Sequence, residues 1–286
     1  MGAHPTPIDL HCFLVPKAGS LPEECEDATY VASSPDEQSV FAAVSDGASE
    51  SLLSGAWARK LVRGAVASMA AADDRRYDEE NSRSESFVED LLARTVDQWD
   101  GYIAEYRTER AARGRPITWY EQPGLDKGAF ATLVAVHVRA APAVPEDPTA
   151  PRPWTWHAFA LGDSCLFHLR EGRLIASFPI ADGDGFGITP QLLGSRNRDA
   201  ALITDRASSA TGELRADDEL LLTTDALAAW LLAHPELASG GPGRQLGKLA
   251  DLGEETFAEW VQSERDKSRM RNDDVALIRM RVKTEG

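Results

Sequence analysis

Acidic residues recur at the points where apolar, strand-like runs begin or end. They are Glu26 and Asp27 in EECEDATYVAS, Asp46 in FAAVSDGAS, Asp163 in FALGDSCLF, Asp225 in ELLLTTDAL, and Asp273 and Asp274 in RNDDVALIRM. Clustered carboxylates with nearby backbone carbonyls suit hard cations such as Mg²⁺ or Mn²⁺, which prefer oxygen ligands and neutralise the repulsion among the carboxylates. A single acidic residue in this position is more often a turn residue or a helix N-cap. The repetition along the chain favours a metal site.

The elements that must position these carboxylates are strands in the middle of the chain and two groups of helices. Apolar residues recur at helical spacing over 52–69 and 87–106, and Gly114 and Pro116 end the second helix. Further helices are predicted over 226–233 and 254–269. Strands are predicted over 131–138, 154–161, 165–178 with a turn at Glu171-Gly172, 219–224 and 275–282. This order predicts antiparallel sheets covered by helices, a layered α+β arrangement.

The domain organisation is predicted to be simple. The sequence has no internal repeat and no marked change of composition, so residues 1–286 are predicted to form one domain. Two segments are predicted to be loop insertions. Residues 71–86 are densely charged, and residues 139–153 are rich in Ala and Pro and would join two strands.

The overall composition excludes several classes of function. A net charge of −16 disfavours nucleic acid and anionic membrane surfaces as partners. No apolar run reaches the roughly 20 residues of a transmembrane helix, and residues 1–17 lack the basic start and apolar core of a signal peptide. Three widely spaced cysteines argue against a disulfide framework and for a reducing compartment. We therefore expect a cytoplasmic protein with no nucleic-acid or membrane partner.

Six short motifs, taken in their order and spacing, resemble the metal-dependent protein phosphatases of the protein phosphatase 2C type. The motifs are Glu26-Asp27, VSDG (44–47), GAFATLVAV (128–136), ALGDS (160–164), LLLTTDAL (220–227) and NDDVALIRM (272–280), and the match spans residues 20–283. Each motif alone is weak, but the series is specific. The resemblance implies an α+β fold, a four-layer αββα sandwich in which two mainly antiparallel sheets are flanked by helix pairs. It also implies a two-metal site at one edge of the sandwich.

The resemblance further implies which residues hold the metals, two Mn²⁺ or Mg²⁺ ions with a third, weaker site. Asp46 would bridge the two ions, the carbonyl of Gly47 would join one of them, and Asp225 and Asp273 would complete the other. The implied reaction is hydrolysis of a phosphate monoester by a water that the metals activate, while the metals offset the developing charge.

Three more acidic residues have implied roles beside this pair of ions. Glu26 and Asp27 would hold metal-bound waters, and Asp163 would assist the third metal. Asp27 and Asp46 are therefore the predicted catalytic residues. The implied substrate is a phosphoserine or phosphothreonine protein, either a kinase or the target of one.

Four positions depart from the family pattern. Ala48-Ser49-Glu50 follows the Asp-Gly pair, so the histidine often found there is missing; Ala226 replaces a glycine and Cys165 an arginine. The phosphate-binding arginine expected before the Glu-Asp pair is also missing, since residues 21–24 read LPEE. The predicted substitutes for this phosphate contact are Lys17, Arg269 and Arg271. For the basic run RDKSRMR (265–271), a solvated helix face is an equally good interpretation.

Other chemistries fit the sequence less well. The stretch DGDGFGITPQLL (182–193) has Phe186 and Leu193 where an EF-hand needs oxygen ligands. Ser164 is not part of the Gly-x-Ser-x-Gly motif of serine hydrolases. A cysteine phosphatase needs five residues between its cysteine and arginine, and Cys165 and Arg170 are one residue too close. The six histidines lack the spacing of a zinc site. Two classes remain: a metal-dependent serine/threonine phosphatase, or a catalytically weak or inactive phosphatase-fold module acting as a regulatory binding partner. The complete set of aspartates favours the enzyme, and the missing arginine and histidine favour the module.

Overall fold

Apolar runs form the strands of the protein, which we describe from a computed structural model covering residues 8–73, 80–141, 153–182, 185–186 and 190–283. Within these residues the strands are β1 (Ile8–Val15), β2 (Ala28–Ser33), β3 (Ser39–Ser45), β4 (Phe130–Ala131), β5 (Leu133–Ala140), β6 (Trp154–Leu161), β7 (Cys165–Arg170), β8 (Arg173–Phe178), β9 (Leu193–Gly194), β10 (Ser208–Leu214), β11 (Glu219–Thr223) and β12 (Val275–Val282).

The helices of the described residues fall into an early and a late group. They are α1 (Ser54–Asp73), α2 (Glu80–Arg94), α3 (Trp99–Ala112), α4 (Gln122–Lys127), α5 (Ala200–Arg206), α6 (Asp225–Leu232), α7 (Gly241–Leu252) and α8 (Glu254–Asp266). None of these helices combines the length and the apolar character needed to cross a membrane.

The strands form two five-stranded sheets in which every pair is antiparallel. Sheet A has the order β1-β12-β11-β7-β8, and sheet B has the order β10-β6-β5-β3-β2. A small third sheet pairs β4 with β9. The strand order is not sequential, so each sheet combines strands from distant parts of the chain.

Alternation along the strands divides the core into three layers. In β5, Val134 and Val136 face sheet A, whereas Ala135 faces the early helices. Leu277 in β12 packs on the late helices, while Ile278 lies between the sheets. Helices therefore cover the outer face of each sheet. The predicted α+β, four-layer αββα sandwich of antiparallel sheets is confirmed.

The predicted loop insertion at 71–86 is wrong for most of its length. Residues 71–73 continue α1 and residues 80–86 belong to α2, while 74–79 lie outside the described residues. The segment contains no Gly or Pro, and its Ala, Arg and Glu residues are good helix formers, so a high charge density did not prevent a helix. In the second predicted insertion, 139–140 belong to β5, Ala141 and Pro153 lie outside any strand, and 142–152 are not described.

The helix predicted over 87–106 is interrupted at Thr95. This buried residue ends α2, and a 3₁₀ turn at Val96–Gln98 leads into α3. Its hydroxyl donates to the carbonyl of Leu91 at 2.6 Å, a bond to the preceding turn that bends helices. Its methyl group packs against Gly64 of α1, where a Cβ would lie only 2.4 Å away. Contact between helices therefore sets a break that the apolar periodicity does not reveal.

Candidate functional site

The register of sheet B brings three acidic residues to one end of the sheet. Ala28 pairs with Ser45, so Asp27 before β2 and Asp46 after β3 leave the sheet at the same end. Val44 pairs with Val134, and Leu133 pairs with Leu161, which places the end of β6 at this end as well. Asp163 lies two residues beyond the end of β6.

The register of sheet A brings the remaining aspartates to the same end of the sandwich. Thr223, the last residue of β11, pairs with both Cys165 and Leu277. Asp225 after β11 and Asp273 before β12 therefore lie beside the turn that carries Asp163 from β6 in sheet B to β7 in sheet A. Asp225 is also the first residue of α6, where a carboxylate is favoured by the helix dipole.

Two glycines allow the backbones to approach one another at this edge. Gly162 adopts a left-handed conformation with φ of +104°, and a Cβ there would lie 2.7 Å from Thr132 Cγ2. At Gly47 a Cβ would lie 2.7 Å from the carbonyl oxygen of Glu26 and 2.8 Å from the carbonyl carbon of Ser54. The Gly47 backbone therefore packs directly against the segment that carries Glu26 and Asp27.

The carboxyl groups raise one another's pKa. Burial, followed by the charges of Asp225, Asp273 and Asp163, raises the pKa of Asp46 to about 8. Burial and the charge of Asp225 raise the pKa of Asp163 to about 6. The pKa of Asp273 is raised by burial and again by Asp225. Repulsion from Asp225 thus acts on each of these groups.

Asp27 is the most deeply buried of the set, with 1% of its surface exposed. Burial and the charge of Asp46 raise its pKa well above the ordinary value, although a hydrogen bond with Thr224 opposes the shift. Oδ2 of Asp27 and Oδ1 of Asp163 are buried and have no hydrogen-bond partner within the described part of the chain. Buried carboxylate oxygens without partners, among carboxylates that repel one another, fit a divalent cation with oxygen preference.

Glu26 differs from its neighbours because hydroxyl groups and an ammonium group already surround it. Ser49 and Ser54 donate to its two carboxylate oxygens, and Lys17 Nζ lies 3.1 Å from Oε2. Burial acts to raise its pKa, but the hydrogen bonds from Ser49, Ser54 and Lys17 outweigh burial and lower it. Glu26 is therefore a charged, oriented carboxylate at the rim of the cluster.

Asp274 positions the segment that carries Lys17 and Glu26. Its Oδ1 accepts the backbone N–H of Lys17, and its Oδ2 accepts that of Glu26, both at 2.7 Å. From the sequence, Asp274 is predicted to lie at the start of the last strand, with no role of its own. The paired aspartates of NDDVAL were the available signal, but the partners of Asp274 lie about 250 residues away in sequence.

The sequence and the structure differ in how far they resemble known proteins. Neither a scan against models of known protein families nor a search of curated protein sequences finds a match. The fold, in contrast, matches solved phosphatases over nearly the whole chain. The catalytic domain of the serine/threonine protein phosphatase PstP, solved with two manganese ions, aligns with a TM-score of 0.50 and 16% identity, covering 97% of this chain and 99% of that one.

Two further structures give the same result. The photosystem II phosphatase PBCP aligns with a TM-score of 0.52 and 14% identity, covering 96% of this chain and 99% of its own. The serine/threonine phosphatase Stp1 from Staphylococcus aureus aligns with a TM-score of 0.51 and 13% identity, covering 100% and 98% of the two chains. The chain has the protein phosphatase 2C fold. The resemblance carried by the six motifs is thus confirmed for the fold.

Two of the three predicted phosphate-binding cations face the carboxylates of this protein phosphatase 2C fold. Lys17 contacts Glu26, as described above, and Arg271 Nη2 donates to Asp225 Oδ2 at 2.6 Å. Arg269 instead forms a two-pronged ion pair with Glu264, through bonds of 2.7 and 2.6 Å. Trp230 also donates to Glu264, so Arg269 is held against α6 and α8 rather than at the carboxylate cluster.

The cysteine that replaces the family arginine is buried under the site. Cys165 is fully buried, and its thiol donates to the carbonyl of Asp163 at 3.3 Å. Burial raises the pKa of Cys165 to about 12, so the thiol remains neutral. This environment agrees with the exclusion of a cysteine phosphatase.

A second group of metal-binding residue types lies at the opposite end of sheet A. The ligand atoms of Asp9, His11 and Asp251 lie within 4.8 Å of one another. Asp9 pairs with Arg281 in the β1–β12 register, whereas the carboxylate cluster lies beyond the Val15–Val275 pair. Lys283 and Arg279 already form ion pairs with the two carboxylates. The surrounding cations therefore make this group an ion-paired cluster distinct from the candidate site.

Proposed function

We propose that this protein is a metal-dependent serine/threonine phosphoprotein phosphatase. The observation that carries the proposal is the convergence of Asp27, Asp46, Asp163, Asp225 and Asp273 at one edge of the sandwich. These carboxylates repel one another, and two of their buried oxygens have no hydrogen-bond partner among the residues that the structure describes. The likeness to phosphatase structures supports the fold. The aspartates of this chain supply the argument for activity.

The residues proposed to hold two Mn²⁺ or Mg²⁺ ions are those predicted from the motifs. Asp46 and the carbonyl of Gly47 would serve the first ion, Asp46, Asp225 and Asp273 the second, and Asp163 a weaker third. Bound ions of this kind lower the pKa of coordinated water and offset negative charge on a phosphate. Asp27 would accept a hydrogen bond from the attacking water at Oδ2, for which the described residues supply no partner, and Glu26 would orient a further water.

The substrate phosphate needs a cationic contact because the family arginine is missing. Lys17 is held beside Glu26 by its own backbone bond to Asp274, and Arg271 reaches Asp225 from the segment before β12. We propose that one of these two groups binds the phosphate of a phosphoserine or phosphothreonine protein, a kinase or a kinase target. Arg269 is the weakest of the three candidates because Glu264 occupies its guanidinium.

We propose a cytoplasmic setting for this reaction on the grounds of charge and cysteine usage. The three cysteines are free, which suits a reducing cytoplasm. The net charge of −16 continues to disfavour nucleic acid and anionic membranes as partners. The second candidate function is a regulatory module without turnover, which the missing histidine and arginine favour. A hydrolysis assay distinguishes this module from an active phosphatase.

The experiment is a hydrolysis assay on the full chain with an aryl phosphate and a phosphothreonine peptide. After chelation we expect no turnover, and added Mn²⁺ should restore hydrolysis of both substrates. Because the metal binds the folded cluster, saturating Mn²⁺ should also raise the melting temperature by about 5 °C or more. Full activity at a metal content near zero would overturn the metal mechanism. Metal binding without hydrolysis of either substrate would identify the regulatory module.

A further inference from the structure

Asp225 influences the pKa of the other carboxyl groups of the cluster. Burial is the main cause of the raised pKa values of Asp27, Asp46, Asp163 and Asp273, and the charge of Asp225 adds to each of them. A carboxylate surrounded by other acidic groups is stabilised by a neighbouring cation. The nearest cation to it is therefore of particular interest.

Arg271 provides that cation. Its guanidinium donates to Asp225 Oδ2 at 2.6 Å, and its charge also acts to lower the pKa of Asp163. The Asp225 side chain is only 14% exposed, whereas that of Arg271 is 56% exposed. The carboxylate is therefore largely enclosed, whereas the guanidinium is largely open to solvent.

We infer that Arg271 is a built-in counter-ion that occupies Asp225 in the metal-free protein and that a divalent cation must displace. The inference rests on the proposed metal site, because Asp225 is one of its proposed ligands. At Oδ2 a cation and the guanidinium would compete for the same carboxylate oxygen, and each would weaken the affinity of Asp225 for the other. Arg271 thereby sets the metal concentration at which the site fills.

This competition has a signature that a purely structural arginine would not produce. Replacing Arg271 should destabilise the metal-free protein, because the cluster loses its counter-ion, yet it should tighten metal binding. A structural ion pair would lower stability with and without metal and leave affinity unchanged. If Arg271 instead supported Asp225 as a metal ligand, its loss would weaken metal binding.

The test uses Arg271→Gln in the full chain, with Arg269→Gln as the matched control. Arg269 is two residues away and similarly exposed at 52%, but its partner is Glu264. Mn²⁺ binding to chelator-treated protein is measured by calorimetry, and melting temperatures are measured without metal. For Arg271→Gln we expect binding about threefold to tenfold tighter and a metal-free melting temperature about 1–4 °C lower. Arg269→Gln should leave the Mn²⁺ affinity as it is in the wild type.

A measurement in a second background makes the outcome decisive. In an Asp225→Asn background, Arg271→Gln should no longer change Mn²⁺ affinity, since the competing contact is gone. Unchanged or weaker Mn²⁺ binding by Arg271→Gln would overturn the inference while leaving the proposed function in place. Equal tightening in both arginine variants would also overturn it, as a general effect of net charge. A wild-type protein that binds no Mn²⁺ would overturn the proposed metal site and, with it, this inference.

Discussion

Asp27 and Asp46 adjoin the paired residues Ala28 and Ser45, so their two carboxyl groups lie side by side at one end of sheet B. Each contributes to the electrostatic environment of the other, since the charge of Asp46 raises the pKa of Asp27 and a hydrogen bond from Asp27 opposes the rise in the pKa of Asp46. Strand register therefore creates a close acidic pair from residues that are 19 positions apart in sequence.

We predict that Asp46→Asn removes activity without unfolding the protein. Asn is nearly isosteric and suits a turn, so the fold should persist. The loss of one negative charge between two cations should weaken metal binding, and kcat should fall about a thousandfold or more. The metal-free variant should melt at or above the wild-type temperature, because repulsion within the cluster decreases.

The measurements for this variant are kcat, metal stoichiometry and metal-free melting temperature. Asp126→Asn is the control, because Asp126 is exposed on α4 and bonded only to Gln122 among the described residues. If the Asp46→Asn protein keeps two metals and near-normal turnover, the VSDGAS segment is an ordinary turn and Asp46 is not a metal ligand.

The second prediction concerns the phosphate contact. At saturating Mn²⁺, either Lys17→Ala or Arg271→Ala should raise KM by about tenfold or more, the loss expected for a charge-assisted bond. Arg269→Ala should keep its KM but melt at a lower temperature, since it leaves the buried Glu264 without its main partner. Wild-type KM values for both Lys17→Ala and Arg271→Ala would mean that the metals alone hold the phosphate.

The third prediction tests the close backbone contact at Gly47. The Cβ of Gly47→Ala would meet backbone atoms of Glu26 and Ser54 at 2.7 and 2.8 Å, so neither neighbour can yield by a rotamer change. We expect a loss of about 1–3 kcal/mol in unfolding free energy, measured by denaturant titration, together with weaker Mn²⁺ binding. Gly101→Ala is the control, because its Cβ would meet open space on α3. This variant should be more stable than the wild type, since Ala has a higher helix propensity than Gly. Equal stability of the two variants would argue against the contact.

The fourth prediction concerns pH and a buried carboxylate away from the site. Asp218 accepts bonds from Arg170 at 2.8 Å, from His168 at 2.9 Å and from the backbone of Arg215 at 2.9 Å. Burial acts to raise its pKa, but these bonds lower it below the ordinary value. A lowered pKa contributes stability above the unfolded-state pKa, and that stability is lost as pH falls through the folded-state value.

Melting temperatures between pH 5 and pH 2 should therefore fall more steeply in the wild type than in Asp218→Asn. At pH 7 the variant should be less stable by about 3 kcal/mol or more, because His168 and Arg170 lose a buried partner. Asp126→Asn should follow the wild-type curve. If the melting temperature of Asp218→Asn falls as steeply with decreasing pH as that of the wild type, the acid sensitivity is due to other carboxylates.

The sequence by itself determined the central strands and the order of the strand-end carboxylates. Strands β6 and β12 have the predicted bounds, because their runs are apolar and end at turn residues or acidic residues. The same local pattern located the turn at Glu171-Gly172 between β7 and β8. These features depend on neighbours in sequence, which is why one sequence suffices for them.

Strands and helices with weak local patterns were not predicted. The edge strand β10, SSATGEL, is mostly exposed and polar, and its pairing with β6 rather than its own propensity makes it a strand. The edge strand β1 was not predicted either, and it pairs along its whole length with β12. Helix α7 contains three glycines, and its packing on sheet A through Leu246 and Ala250 outweighs their low helix propensity.

Only the tertiary structure decided which charged groups meet. The basic run 265–271 offers Arg269 and Arg271 two residues apart, yet one pairs with Glu264 and the other with Asp225. Likewise, Asp274 finds its partners in the segment before β2, which the strand order of the two sheets brings to the start of β12. Sequence spacing fixes the direction of a side chain on its own element, but the distance to a group on another element depends on how strands pair and sheets pack. The pairing of cations with carboxylates at this site is therefore a property of the folded sandwich.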